Sequence, residues 1–327
     1  MTSATLNLDI VRLIIRQAAC DAETTATNSA VDAFYQRSAL LRRLALVHSR
    51  WTPLAQLELE SFVVLTGRNF TAVSRALEQS KFGNRVKKLV DRRGVTREPQ
   101  SLDAILEKCD GLAELDCQNS RLSLGSLRMM RDLRNLSFSN VSLGNESQPT
   151  VLPFRLRSFS LSGACRLSNA QWTALRETGN STIENLELVG RLGGDSARLL
   201  DTLASWLPTI RYLDISSVEL PTPVVPSLHQ CRSLERLALK LSDLPAALAV
   251  LESSPQHLEV VASSDVIDQW TLEDYQTNVL YAIGKEPLED IESVKVLRAP
   301  GVHDAPRSRE VALFVKIGKR KVKAKRC

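Results

Sequence analysis

The chain has 327 residues, 43% apolar and 24% charged, with a formal net charge of +5. That balance excludes a disordered chain, which holds too little apolar sequence to bury, and no apolar run reaches the roughly 20 residues of a membrane-spanning helix. The positive charge is local: Lys316, Lys319, Arg320, Lys321, Lys323, Lys325 and Arg326 outweigh it, leaving the rest close to neutral and slightly acidic.

In chain order, Leu6, Ile10, Leu13, Ile14 and Ala18 share one helical face and predict a first helix over residues 6–19. Residues 21–30 are small and polar with no periodic face, which predicts a loop. A second helix is expected from Val31 through Leu40, Leu41, Leu44 and Val47, and Pro53 suits the first turn of a short third one. Phe62 to Leu65 reads as a short β-prone run, residues 70–80 as another amphipathic helix, and Arg85 to Val90 as a first strand.

From there one unit recurs. Its most regular copy is Ile210-Arg-Tyr-Leu213-Asp-Ile215, in which apolar residues alternate with polar ones as in a half-buried strand. Other copies begin at Leu112, Leu133, Leu156, Ile183 and Leu234, with weaker ones at Leu258 and Ile291. Counted on the second apolar position from Leu89, the intervals are 26, 21, 23, 27, 27, 24, 24 and 33 residues. Helix-like stretches fall between several copies: 102–109, 170–176, 197–207 and 246–251. Such a period and strand pattern mark leucine-rich repeats. The fold expected is therefore α/β: a solenoid over residues 67–315 with parallel strands on a concave face and helices on the convex one. A doubly wound domain also alternates strands and helices, but its strands are apolar on both faces. Here the intervening positions are Glu, Asp, Ser, Asn, Tyr and Arg. The ninth position of each unit, usually Asn or Cys, holds Ser120, Val141, Ala164, Arg191, Val218 and Ser242, so no asparagine ladder is expected there. Val311 to Val315 is read as a terminal strand, and residues 316–327 as a basic, disordered tail.

The N-terminal 66 residues resemble the fungal F-box-like domain. The match lies in Leu41-Arg-Arg-Leu44-Ala-Leu-Val47-His48-Ser49-Arg50-Trp51, followed by Pro53-Leu54-Ala55 and Phe62-Val-Val-Leu65. The opening helix, Leu6-Asn7-Leu8-Asp9-Ile10-Val11, departs from the family pattern at Asn7, where a proline is expected. The repeats resemble those that follow F-boxes in many fungal proteins. The resemblance implies a substrate-recognition subunit of an SCF-type ubiquitin ligase that docks the adaptor through an apolar stripe. Leu6, Ile10, Leu13, Ile14, Val47, Trp51 and Leu54 are the candidates. The other reading of these seven is the internal core of a helical cap, since a repeat array needs one whatever it binds. Trp51 is expected to share a core with the first repeat. The alternative function is a repeat scaffold outside any ligase.

The second candidate site is the concave strip, where a protein substrate is expected to meet Glu114, Asp116, Asn135, Ser160, Glu187, Tyr212, Asp214 and Arg236. The tail carries no interleaved aromatics, so base stacking on nucleic acid is not indicated. Cys20, Cys109, Cys117, Cys165, Cys231 and Cys327 form no Cys-x-x-Cys pair, and His48, His229, His257 and His303 lie far apart. No metal, cofactor or catalytic constellation is therefore expected. Cys117 reads as a small buried hydrophobe. The protein is expected in the cytoplasm or nucleus, as a monomer outside its complex.

Overall fold

The computed structural model describes residues 7–25, 30–79, 83–94, 101–144, 151–190, 196–218, 225–251, 255–262, 291–298, 311–318 and 321–326. It is an α/β structure that divides into two units, Met1–Leu133 and Arg134–Cys327.

The first unit opens with α1 (Leu8–Thr25), α2 (Ala30–Val47) and α3 (Thr52–Ser61). The Asn7 side-chain oxygen accepts the Asp9 N–H at 2.9 Å. This N-cap contact satisfies a donor that the helix leaves open, so Asn7 starts α1 without the expected proline. α1 then runs through residues 21–25, which composition assigns to a loop. Side-chain pairing explains the extension. Gln17 Nε2 donates to Asp21 Oδ1 one turn on, at 2.8 Å, and Glu23 is held by Arg37 and Lys88. Val11, Ile15 and Ala19, four residues apart, bury one face of α1 against Leu41 of α2 and Ala55 of α3. Leu44, Ala45, Trp51, Leu54 and Leu59 pack around them. Trp51 thus packs, half-buried, on the helical cluster.

Three parallel strands follow in sequence order: β1 (Phe62–Leu65), β2 (Lys88–Asp91) and β3 (Glu114–Gln118). α4 (Phe70–Gln79) lies between the first two and α5 (Asp103–Leu106) between the last two, while β4 (Arg121–Leu122) bridges to Ser101. β1, which ends at Leu65, is hydrogen-bonded to β2. Phe62, Val64 and Val90 form a small cluster covered by Ala30, Val31 and Phe34 of α2. The outer carbonyl of Val64 accepts from Asn69 Nδ2 at 2.8 Å, which closes an edge position that another strand would otherwise pair with.

Among the described residues, the second unit holds seven parallel strands in sequence order. They are β5 (Asn135–Ser139), β7 (Ser158–Ser162), β8 (Asn185–Gly190), β9 (Tyr212–Val218), β10 (Arg236–Lys240), β11 (His257–Ala262) and β12 (Ser293–Arg298). The short β6 (Ser142–Leu143) bridges to Arg166. The pairing aligns Leu136, Phe159, Leu186, Leu213, Leu237, Leu258 and Val294 in one buried lateral row. Leu258 stands where the sequence spacing puts Val261. The copy begins three residues earlier than expected, with the buried Pro255 in its first apolar place.

One hydrogen-bond device repeats with the strands. A single carbonyl just before a strand accepts two N–H groups from the next copy. Arg134 accepts Arg157 and Ser158, Arg157 accepts Glu184 and Asn185, Glu184 accepts Arg211 and Tyr212, and Arg211 accepts Glu235 and Arg236. In the first unit, Lys87 accepts Ala113 and Glu114 in the same way.

The helices between these strands are α6 (Asn169–Gly179), α7 (Ser196–Trp206) and α8 (Leu244–Val250), with short 3-10 turns in other connections. α6 starts on a capping box, with the Ser168 and Gln171 side chains each accepting the other's backbone N–H. At its end a Cβ on Gly179 would lie 2.5 Å from Trp206 Nε1, so glycine lets the indole seat there. That indole meets Phe159 edge-on at 5.8 Å and donates to the Arg176 carbonyl at 3.2 Å.

β13 (Val311–Gly318) and β14 (Lys321–Arg326) close the sheet of this unit antiparallel. The expected disordered tail is therefore mostly strand. Its Lys-Val-Lys-Ala-Lys-Arg sequence alternates with a period of two, which fits that state.

Candidate functional site

At 100° per residue, the described part of α1 has three faces. Val11, Ile15 and Ala19 form the buried one. Ile10, Leu13 and Ile14 form a second, and they stand 51%, 66% and 49% exposed. Arg12, Arg16 and Cys20 lie on the third, also exposed. At the end of α2, Leu46 and Val47 are exposed as well. Four of the seven adaptor candidates, Ile10, Leu13, Ile14 and Val47, are thus accessible apolar side chains. Trp51 and Leu54 are half-buried in the helical cluster, and Leu6 lies outside the described residues. Exposed Leu8 and Leu46 were not anticipated.

The bundle that carries these residues is fastened by a buried cation. Arg37 of α2 donates through Nη1 to the Glu58 carbonyl at 2.6 Å and through Nη2 to Glu58 Oε2 and Ser61 Oγ, both at 3.1 Å. Its Nε faces Glu23 Oε1 at 2.8 Å, an ion-pair contact without hydrogen-bond alignment. All three helices are therefore joined at one guanidinium. Lys88 lies 3.2 Å from Glu23 and 3.6 Å from Glu114.

The strand candidates fall in two rows. Glu114 and Asp116, in the first unit, are paired with Lys88 and Arg92, the latter at 2.5 Å. In the second unit, Asn135, Ser158, Asn185, Tyr212, Arg236, His257 and Ser293 are laterally aligned and at least partly accessible. Arg236 stacks over the Tyr212 ring at 5.0 Å and pairs with Glu259, which Lys295 approaches at 3.5 Å. The Tyr212 phenol is held well above its usual pKa, first by burial and then by the Asp214 charge. His257 Nδ1 is 2.9 Å from Ser293 Oγ.

The next row holds Ser160, Glu187, Asp214, Ala238, Glu259 and Lys295. Ser160 and Asp214 were expected to be open to a partner; they are 7% and 2% exposed. Their polar groups are engaged internally. Ser160 Oγ donates to Glu187 Oε2 at 2.9 Å, and Asp214 Oδ1 accepts the Ser216 N–H at 3.0 Å and its hydroxyl at 2.6 Å. A carboxylate withdrawn from water needs such donors. Glu259, His257 and Lys295 lie beyond the outward positions expected from the sequence, which end with the Arg236 copy, and the copy at Leu258 is placed there out of phase.

A further buried carboxylate lies in the first unit. Asp91 occupies an apolar lateral position between Leu65 and Cys117, fully buried. The Arg93 guanidinium grips it at 2.8–3.0 Å, and Ser120 also donates to it. Ser120 is the residue at the ninth repeat position. The left-handed turn comes one position earlier. Asn119, Asn140, Gly163 and Gly190 each lie four residues past the second apolar site, with φ of 52°, 52°, 74° and 96°. Asn and Gly are the residues that tolerate this conformation.

Among the described residues, no group of three His, Cys, Asp or Glu side chains is placed to hold a metal ion, and no helix is long and apolar enough to cross a membrane. The chain matches no protein-family model, and none of the curated proteins is significantly similar to it.

Proposed function

We propose that this chain is the substrate-recognition subunit of an SCF-type ubiquitin ligase, with an F-box-like helical segment that docks the adaptor and a leucine-rich-repeat solenoid that holds a protein substrate. The observation behind this reading is the exposed stripe of Ile10, Leu13 and Ile14, with Leu46 and Val47, on a bundle whose own core is complete without them. Apolar groups left in water on an otherwise satisfied bundle are the signature of a covered surface. The substrate is met by the accessible row, with Tyr212 and Arg236 as its largest side chains, because the neighbouring row is already paired within the protein. The subunit performs no chemistry; it raises the effective concentration of substrate beside the transferring enzyme.

The test is co-purification with the SCF adaptor of the intact chain and of a Leu13→Asp/Val47→Asp variant. The intact chain is expected to retain the adaptor, and the variant to lose it by at least about 100-fold, roughly 2.7 kcal/mol, with an unchanged thermal melt. Failure of the intact chain to bind, or undiminished binding by the variant, would leave a repeat scaffold outside any ligase as the better reading.

A further inference from the structure

The first unit contains a groove of about 590 Å³ that no part of the proposed ligase role uses. Arg12, Arg16, Cys20, Arg37, Arg85 and Lys87 are among its lining residues. The charges there divide into two sets. Arg37 and Lys88 are tied to Glu23, Glu58 and Glu114, all of which line the groove, and that set is neutralised from within. Arg12 and Arg16 are different. They lie one turn apart on α1, both exposed, and neither has an ion-pair or hydrogen-bond partner among the described residues. Arg85 and Lys87 add two half-exposed cations; Arg85 pairs with Glu60 at 2.7 Å and Lys87 is 3.9 Å from Asp132.

This arrangement selects among anions. A small anion drawn in toward Arg37 meets the Glu23 and Glu58 carboxylates. An extended acidic chain lying along the mouth meets Arg12, Arg16, Arg85 and Lys87 and leaves the inner pairs alone. A planar guanidinium is the better donor to a carboxylate of the two basic side chains, because its fork of N–H groups matches both oxygens. Nucleic acid is disfavoured: the lining aromatic, Phe62, is buried beneath Arg37 and Lys88, so no ring is free to stack on a base. We infer that the groove docks an acidic segment of a partner protein. The inference stands apart from the ligase reading.

Cys20 supplies a local readout, since it lines the groove and is the exposed cysteine among the five described. The experiment uses the full chain carrying Cys327→Ser and a fluorescein-labelled ten-residue peptide of alternating Glu and Ser. Anisotropy is expected to give salt-sensitive binding, with a Kd of about 1–100 μM in dilute buffer, weakening as ions screen the contact. The peptide slows maleimide labelling of Cys20. Arg12→Glu/Arg16→Glu weakens binding at least tenfold with an unchanged circular-dichroism melt, while Lys321→Ala/Lys323→Ala/Lys325→Ala keeps it. Four results overturn the inference: no binding by the parent, full binding by the arginine variant, loss of binding in the lysine variant, or displacement by a single-stranded oligonucleotide that binds ten times tighter.

Discussion

The α1 helix and the strands of the second unit present opposite arrangements. On α1, apolar side chains are left in water although a compact core lies one face away. On the strands, Ser160, Asp214 and Ser216, polar side chains beside core residues, are buried and hydrogen-bonded within the protein. Among the described residues, Ile10, Leu13 and Ile14 find no core to explain their identity. Ser160, Glu187, Asp214 and Ser216 are explained by one another. Polarity alone therefore misleads about where a partner binds: the informative groups are those whose chemistry the protein itself leaves unanswered.

The comparison is sharpest within α1, where neighbouring residues should behave in opposite ways. Ile15→Ala removes a fully buried side chain from the three-helix core. It is expected to cost about 2–5 kcal/mol in chemical denaturation. Leu13→Ala, on the exposed face, should stay within about 0.5 kcal/mol. Equal losses for the two would mean that the exposed face is covered in solution by another part of the chain or by a second copy.

On the strands the corresponding change is Asp214→Ala. It leaves the Ser216 N–H and hydroxyl, both buried, without their acceptor. The expected loss is about 1–3 kcal/mol. Asp214→Asn, which keeps an acceptor oxygen, should recover part of it. If Asp214→Ala is neutral for folding but weakens a bound partner, Asp214 belongs to the recognition surface after all, and the contrast with α1 disappears.

How much of this was legible follows from what each signal measures. The repeat was legible because its apolar positions are set by stacking, and Leu136, Phe159, Leu186, Leu213 and Leu237 fall where the spacing puts them. The phase of the β11 copy was not, since Leu258, Val260 and Val261 are all apolar and only hydrogen-bond register selects among them. The exposed stripe on α1 was visible as a helical period. Its status was not, because Ile10 and Ile14 sit beside Val11 and Ile15, and a period cannot tell which of two adjacent apolar faces is covered. The polar positions on the strands were correctly placed on one face. Their burial depends on side chains from neighbouring copies, which no single copy contains. The turn device at Asn119, Asn140, Gly163 and Gly190 was readable in principle, one position before the place where an asparagine ladder is usually sought.

The thiols extend the contrast between open helix and closed strand core to pH. Burial pushes Cys109 and Cys231 up to about 12 and holds Cys117 well above its ordinary value, which Asp91 and Asp116 reinforce. These thiols stay protonated in the folded protein while the unfolded chain ionises near 9.0. The unfolded state then holds fewer protons, so stability is full below that pH and falls above it. The slope is about 1.4 kcal/mol per pH unit for each thiol. Denaturation at a series of alkaline pH values measures it, and a flat profile to pH 11 would show that the thiols ionise in place. Cys20, exposed on α1, should react with maleimide in the native protein at a rate insensitive to denaturant, whereas the buried ones react only on unfolding.

The smallest effect tests whether the strand ends are as constrained as their interiors. Asn119 ends β3 at φ 52°, and Asn140 ends β5 at the same angle. Alanine there keeps the Cβ that asparagine already places near the following carbonyl but loses the short polar side chain whose local hydrogen bonding makes this left-handed region tolerable, which costs about 1 kcal/mol. Glycine removes that Cβ but adds freedom to the unfolded chain, so Asn119→Gly should differ from the parent by only a few tenths of a kcal/mol. At Asn140 the same glycine change should cost more, because the Asn140 side-chain oxygen also accepts the Ala164 N–H from the next copy at 2.9 Å. If the two glycine variants are equally stable, that contact contributes nothing, and the asparagines at the strand ends serve for backbone geometry alone.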